Sequence, residues 1–239
     1  MMMETKQMKS KKDMLAIMLE TSDENGKNLS DEEIVDTIII YFASGNETTA
    51  HAVTWAIMIL QEHPQFLQKA REEQEDIVKK RASPETGLNH GEVKQMKYLQ
   101  KVPLIAILGL FCFHLNCTKS ILGFSCYTIS KGWKVLPWLR NVHIDPENYK
   151  NPYDFNPSRW DDQNVKLGAF FFPFGAGPRL CPGADLAKLT IYVFLHYFLL
   201  NYRIERTNAN CGVQYLPYTR PSHPADECLA RVKKLWLYT

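Results

Sequence analysis

No charge of one sign dominates this chain of 239 residues: 28 Lys and Arg stand against 26 Asp and Glu, for a formal net charge of +2. A surface that holds a polyanion needs a clear cationic excess, so no nucleic-acid partner is expected. The basic runs at 9–12 and Lys79-Lys80-Arg81 are short and read as solvated surface. Six cysteines are present, Cys112, Cys117, Cys126, Cys181, Cys211 and Cys228, but none form a C-x-x-C pair or zinc spacing. A disulfide framework and a structural zinc are therefore not implied. Long apolar runs are also missing. The run Ile34 to Phe42 is too short and too soon interrupted for a membrane span. Met1-Met2-Met3-Glu4-Thr5-Lys6 reads as neither signal peptide nor anchor. What is there is 45% hydrophobic and 12% aromatic, enough for a core in one large or two small domains.

One stretch organises the rest: Phe172-Pro173-Phe174-Gly175-Ala176-Gly177-Pro178-Arg179-Leu180-Cys181-Pro182-Gly183-Ala184-Asp185. Gly175, Gly177 and Gly183 let the backbone turn tightly and lie close to something flat. Cys181 falls at the start of an apolar helix expected from about Ala184 to Leu200. Orphan amides and the positive end of the helix dipole there favour negative charge on a ligand atom. Arg179, two residues before, adds a permanent cation with a fork suited to a carboxylate. Such a loop suits a haem iron, on which an axial Cys thiolate favours O–O cleavage. The bland alternative is a glycine loop before a helix with a structural cysteine.

A second weak point interrupts a long helix. Ser30-Asp31-Glu32-Glu33 forms a capping box, and the helix it starts is expected to run to about Gln61. Its first part is apolar nearly all round, the pattern of a buried helix. Then come Ser44-Gly45-Asn46-Glu47-Thr48-Thr49, poor helix formers whose hydroxyls compete for carbonyls one turn back. An acid followed by an alcohol at such a place is suited to passing protons; the alternative is a kink with a buried Glu.

The other elements follow from periodicity and punctuation. A short helix is expected at Met14 to Leu19, and a helix at 64–81 opens on Pro64, with Glu72, Glu73, Glu75 and Asp76 as a solvated face. Another helix is expected at Asn89 to Val102, with Met96 and Leu99 in the core. A strand hairpin with a Lys131-Gly132 turn is expected at 127–136. On the helix after Cys181, Leu189, Val193, Phe194 and Phe198 read as the core face, and His196 as a surface or satisfied core histidine. Tyr202 to Arg206 reads as a strand, and the tail at 221–238 as a closing strand pair.

The spacing Phe174-x-x-Gly177-x-Arg179-x-Cys181-x-Gly183 resembles the haem-binding signature of the cytochrome P450 superfamily. Residues 44–49 resemble that family's oxygen-activation motif, with Ser44 where the family has Ala or Gly. The resemblance implies a mainly α fold with small β-sheets, corresponding to the C-terminal half of the cytochrome P450 fold in one partial domain over 1–239. The N-terminal half and its membrane anchor are expected to be absent from this chain. Cys181 would be the iron ligand of haem b, Arg179 would contact a propionate, Phe174 would shield the sulfur side, and Gly177 and Gly183 would shape the loop. Gly45 would leave room for dioxygen or substrate, and Glu47 and Thr48 would pass protons toward it. Several runs, among them Leu29-Ser30-Asp31-Glu32-Glu33-Ile34, Gln61-Glu62-His63-Pro64 and Pro157-Ser158-Arg159-Trp160-Asp161-Asp162, resemble plant ent-kaurenoic acid oxidases and related triterpene oxidases. This implies oxidation of an apolar terpenoid, a diterpenoid acid such as ent-kaurenoic acid or a triterpenoid. NADPH-cytochrome reductase would supply electrons at the endoplasmic reticulum membrane.

One feature of the family is missing. Its Glu-x-x-Arg pair, which locks onto an Arg further on, occurs nowhere in this chain. The resemblance stops near Val102 and resumes near Tyr127. The stretch 103–126 has no acid and holds three of the six cysteines; it reads as the product of a shifted frame or a retained intron, with true divergence as the alternative, and is expected to be irregular. Asn151 to Trp160 matches the element that carries the third member of the triad, Arg159, with its partners gone. The expectation is that no carboxylate reaches Arg159, and that solvent reaches it or the fold loosens. An inert product of a truncated or misread gene is the rival reading to a haem-thiolate monooxygenase.

Overall fold

Hydrogen-bonding side chains mark where the first helices begin. A computed structural model describes residues 13–81, 87–103, 115–116, 121–124, 127–135, 139–161, 171–177, 180–206, 213–214, 223–224 and 230–235. The chain divides into two units, Met1–Glu47 and Thr48–Thr239. In the first, Asp13 accepts from the Ala16 amide at 2.8 Å and caps α1, Met14–Glu20. Asp23 then gathers the amides of Asn25 and Lys27, and Gly26 takes the left-handed φ of +77°. The capping box closes as expected. The Ser30 amide donates to Glu33 Oε2 at 2.8 Å, and the Glu33 amide donates to Ser30 Oγ at 3.2 Å.

That box opens α2, Asp31–Glu62, whose 32 residues span about 48 Å at 1.5 Å each. The helix passes through Ser44–Thr49 without a break, so the weak helix formers there produce no interruption. The expected burial of its apolar first part is not met. Ile34 is buried, but Val35, Ile39, Ile40, Tyr41 and Phe42 are exposed, Phe42 by 78%. Four consecutive exposed residues span every side of the helix, so this segment lacks a covering layer among the described residues.

The second unit holds the core. Ala52, Val53, Ala56, Ile57 and Leu60 of α2 pack with Ala70 and Ile77 of α3, Pro64–Lys79, and with Val93 of α4, His90–Gln95. The expected helix over 89–102 is broken after Gln95. Glu73, expected on a solvated face, explains the break: its carboxylate accepts the amides of Tyr98 at 2.6 Å and Leu99 at 2.9 Å and caps a new turn there. Met96 and Leu99 are fully buried, as expected.

Four antiparallel strand pairs follow among the described residues. The expected hairpin at 127–136 is corrected. Its turn exists, with the Trp133 amide donating to the Ser130 carbonyl and Gly132 at φ +89°. Its strands, however, pair elsewhere: β3, Tyr127–Ser130, with β2, Ile121–Phe124, and β4, Lys134–Val135, with β1, Leu115–Asn116. Described parts of the supposedly irregular 103–126 therefore supply both partner strands. Helix α5, Leu139–His143, and a short 3₁₀ turn at Pro157–Trp160 lead toward the cysteine loop. After it comes α6, Ala184–Asn201, and then β5, Tyr202–Arg206. The expected strand pair within 221–238 is corrected: its described strands pair outside that range, β8, Ala230–Lys234, with β5, and β7, His223–Pro224, with β6, Val213–Gln214. The buried face of α6 is Ile191, Leu195, Phe198 and Leu199, whereas Leu189 and Phe194 are exposed. The helix is apolar nearly all round, so its sequence does not select a face.

Candidate functional site

Backbone turns present Cys181. The Gly175 amide donates to the Phe172 carbonyl at 3.1 Å and the Leu180 amide to the Gly177 carbonyl at 3.1 Å. Gly175 and Gly177 sit at φ +79° and +69°, where a side chain would be strained. The Cys181 amide donates to the Phe174 carbonyl at 3.0 Å, which closes the loop, and Cys181 remains a free, partly buried thiol. Gly183 caps α6 without a side-chain hydrogen bond, so the positive end of the helix stays unblocked three residues from the sulfur.

This loop fits a flat group that brings most of its own metal ligands. A Cβ placed on Gly177 or Gly183 would meet no heavy atom within 4 Å, so space lies open beside the loop on either side of Cys181 in sequence. Leu180 and Leu186, close to Cys181 in sequence, are 56% and 70% exposed. Among the described residues no three His, Cys, Asp or Glu gather as metal ligands, so one sulfur is the donor on offer. Phe174 is partly buried against the core, with Lys188 Nζ 5.2 Å from its ring centre. Arg179 lies outside the described residues.

Glu47 and Thr48 lie on α2, Glu47 exposed and Thr48 partly buried. They fall in different units of the chain, as do Glu47 and the cysteine loop. Gly45 has open space where a side chain would be.

Residues not singled out in the sequence support the loop. Buried His143 accepts the Phe172 amide on Nε2 at 2.9 Å. An imidazole that accepts there carries its proton on Nδ1 when neutral. The Phe171 ring stands 5.4 Å from His143 and 4.4 Å from Trp160. No spacing in the sequence marks this trio, because its members come from three separate segments. Beside it is Arg159, whose three guanidinium nitrogens are buried and without a hydrogen-bond partner among the described residues. No described carboxylate hydrogen-bonds to it, and its nitrogens are closed to solvent. Instead, the guanidinium carbon lies 5.3 Å from the Tyr149 ring centre and 6.0 Å from that of Trp160. Burial works against its charge, and Asp154 acts on it only at a distance.

The family model for cytochrome P450 matches residues 2–214. A 7,8-epoxymelianol synthase of Ailanthus altissima is 50% identical over 231 residues, covering 96% of this chain and 46% of that protein. Ent-kaurenoic acid oxidase 2 of Arabidopsis thaliana is 49% identical over 228 residues, covering 94% and 45%. Beta-amyrin 11-oxidase of Glycyrrhiza uralensis is also 49% identical over 228 residues, covering 94% and 45%. The chain thus spans about half the length of these relatives. Its fold matches that of retinoic acid bound cyanobacterial CYP120A1 with a TM-score of 0.79 at 24% identity, over 93% of this chain and 51% of that one.

Proposed function

The chain belongs to the cytochrome P450 family, and we propose that it is the haem-thiolate portion of a monooxygenase acting on an apolar terpenoid. The observation that carries this reading is Cys181, a free thiol on a glycine-turned loop with open space beside it and an unblocked helix start behind it. Cys181 would hold haem b through its sulfur, and Arg179 would pair with a propionate. Gly177 and Gly183 would let the backbone lie close to the ring, and Phe174 would keep water from the sulfur. When bound, the haem supplies dioxygen activation, so that one oxygen atom enters the substrate and the other leaves as water. Glu47 and Thr48 would pass the protons that this water needs, a carboxyl handing on to a hydroxyl. NADPH-cytochrome reductase would supply the electrons, at the endoplasmic reticulum membrane. No described helix is itself long and apolar enough to cross a membrane. The relatives' names support a terpenoid substrate, either a diterpenoid acid such as ent-kaurenoic acid or a triterpenoid.

The orphaned guanidinium of Arg159 favours a second reading, an inert product of a truncated or misread gene. The carbon monoxide difference spectrum of the reduced protein, expressed with haem supplied, separates the two. A thiolate-type Soret band supports ligation by Cys181. Its absence, or a band typical of a neutral thiol or imidazole, favours the inert product. Sequencing the transcript across codons 103–126 then tests whether that stretch is misread.

A further inference from the structure

Around Arg159 four buried donors meet no acceptor within hydrogen-bond reach among the described residues. Arg159 Nε, Nη1 and Nη2 and the neighbouring Trp160 Nε1 are all buried and all without a hydrogen-bond partner. A guanidinium carries five N–H groups in one plane, and an indole nitrogen can only donate. The cation leans on the π-faces of Tyr149 and Trp160, and the Tyr149 phenol oxygen takes none of its N–H groups. The surroundings are held by other contacts: Trp160 packs on Phe171, and His143 takes the Phe172 amide. What these four nitrogens lack among the described residues is a hydrogen-bond acceptor.

We propose that Arg159 and Trp160 form a binding site for a small monocarboxylate. The planar guanidinium fork matches the two oxygens of a carboxylate, which can accept two parallel bonds and still take a third from an indole N–H. A planar single charge matches a planar fork that lies against the Tyr149 and Trp160 rings. A tetrahedral dianion would cost more to desolvate and matches the fork less well. The four nitrogens are closed to solvent, so the ligand enters by local opening and is held only by the folded chain. Binding therefore raises stability by mass action.

The test is the thermal unfolding midpoint of the full chain in sodium formate, against sodium chloride at equal ionic strength. Formate should raise the midpoint along a saturating curve, by about 3–6 °C at ten times the half-saturating concentration. Chloride should give no saturating rise, and bulky pivalate less than formate. Arg159→Met should abolish the formate response, and Arg159→Lys, which keeps the charge without the fork, should move half-saturation to higher concentration. Equal responses to formate and chloride overturn the proposal, as does an unchanged formate response in Arg159→Met. If that variant does not fold, the anion series on the unaltered chain decides alone, and equal rises with formate and pivalate count against the site.

Discussion

His196 Nδ1 and Gln74 Oε1 stand 2.9 Å apart, and both side chains are fully buried. On the other side of the ring, Arg81 Nη2 lies 3.3 Å from His196 Nε2. An arginine only donates, so Nε2 accepts and Nδ1 donates to Gln74: the histidine is neutral. Arg81 in turn pairs with Glu92 at 2.7 Å, and Glu92 closes the capping box with Asn89. The network ties α3 and α4 to α6. Desolvation first, and then the Arg81 charge, push the His196 pKa from 6.5 down to about 4. The folded state therefore binds the proton less readily than the unfolded state. The stabilisation is fully present above pH 6.5 and is lost as pH falls toward about 4, by at most about 3 kcal/mol. In His196→Gln, the urea midpoint should fall less steeply across that window than in the unaltered chain. Equal slopes would rule out this histidine as the source.

Glu73 joins α3 to the turn after α4 through two backbone amides. Desolvation lifts its carboxyl above the usual range, although the two amide bonds pull it down. Glu73→Ala leaves both donors partly buried without an acceptor, which should cost about 1–3 kcal/mol. Glu73→Gln keeps one acceptor and should cost less. Urea denaturation of the two variants checks the order; an Ala variant as stable as the Gln variant would mean the amides find other partners.

Local signals were legible where they act within a few residues. The Ser30–Glu33 box, Pro64 at a helix start, the Lys131-Gly132 turn and the loop before α6 are all found where the spacing puts them. Long-range partners were not. Glu73 sits in a run of acids that looks solvated, and only the fold brings it to residues 25 positions on. The strands at 127–135 were visible as strands, but their partners lay in a stretch that carries no clear period. The face of α6 was hidden because an all-apolar helix buries whichever side its neighbours choose. At the candidate site, the glycines and Cys181 could be read from spacing, whereas His143, Phe171 and Trp160 gather only in the fold.

Arg159 is a buried cation among aromatic rings with no counter-ion in reach among the described residues. Replacing an ill-compensated buried charge with an apolar side chain of similar length often stabilises a protein by about 1–4 kcal/mol. Arg159→Met keeps the packing of the stem and loses a cation–π contact worth about 1 kcal/mol. The net change should be stabilising, read as a rise in the urea midpoint in the absence of carboxylate salts. A fall in that midpoint would mean the guanidinium holds a partner in solution.

Gly177 and Gly183 flank Cys181 with equal open space but different backbones. Gly177 lies at φ +69°, so Ala there is strained by about 1–2 kcal/mol whatever the room around it. Gly183 lies at φ −92°, where any residue is at ease, so Gly183→Ala should cost the haem-free chain less than about 1 kcal/mol, a loss confined to the helix cap. Both substitutions put a methyl group into the space that the proposed haem needs. Gly183→Ala should therefore weaken haem uptake, followed by the Soret band during titration with haem, while leaving the urea midpoint of the haem-free chain nearly unchanged. Cys181→Ser should lose the thiolate-type band altogether. If Gly183→Ala takes up haem as well as the unaltered chain does, the open space beside the loop is not where the ring lies, and the reading of this loop as a haem cradle fails at that point.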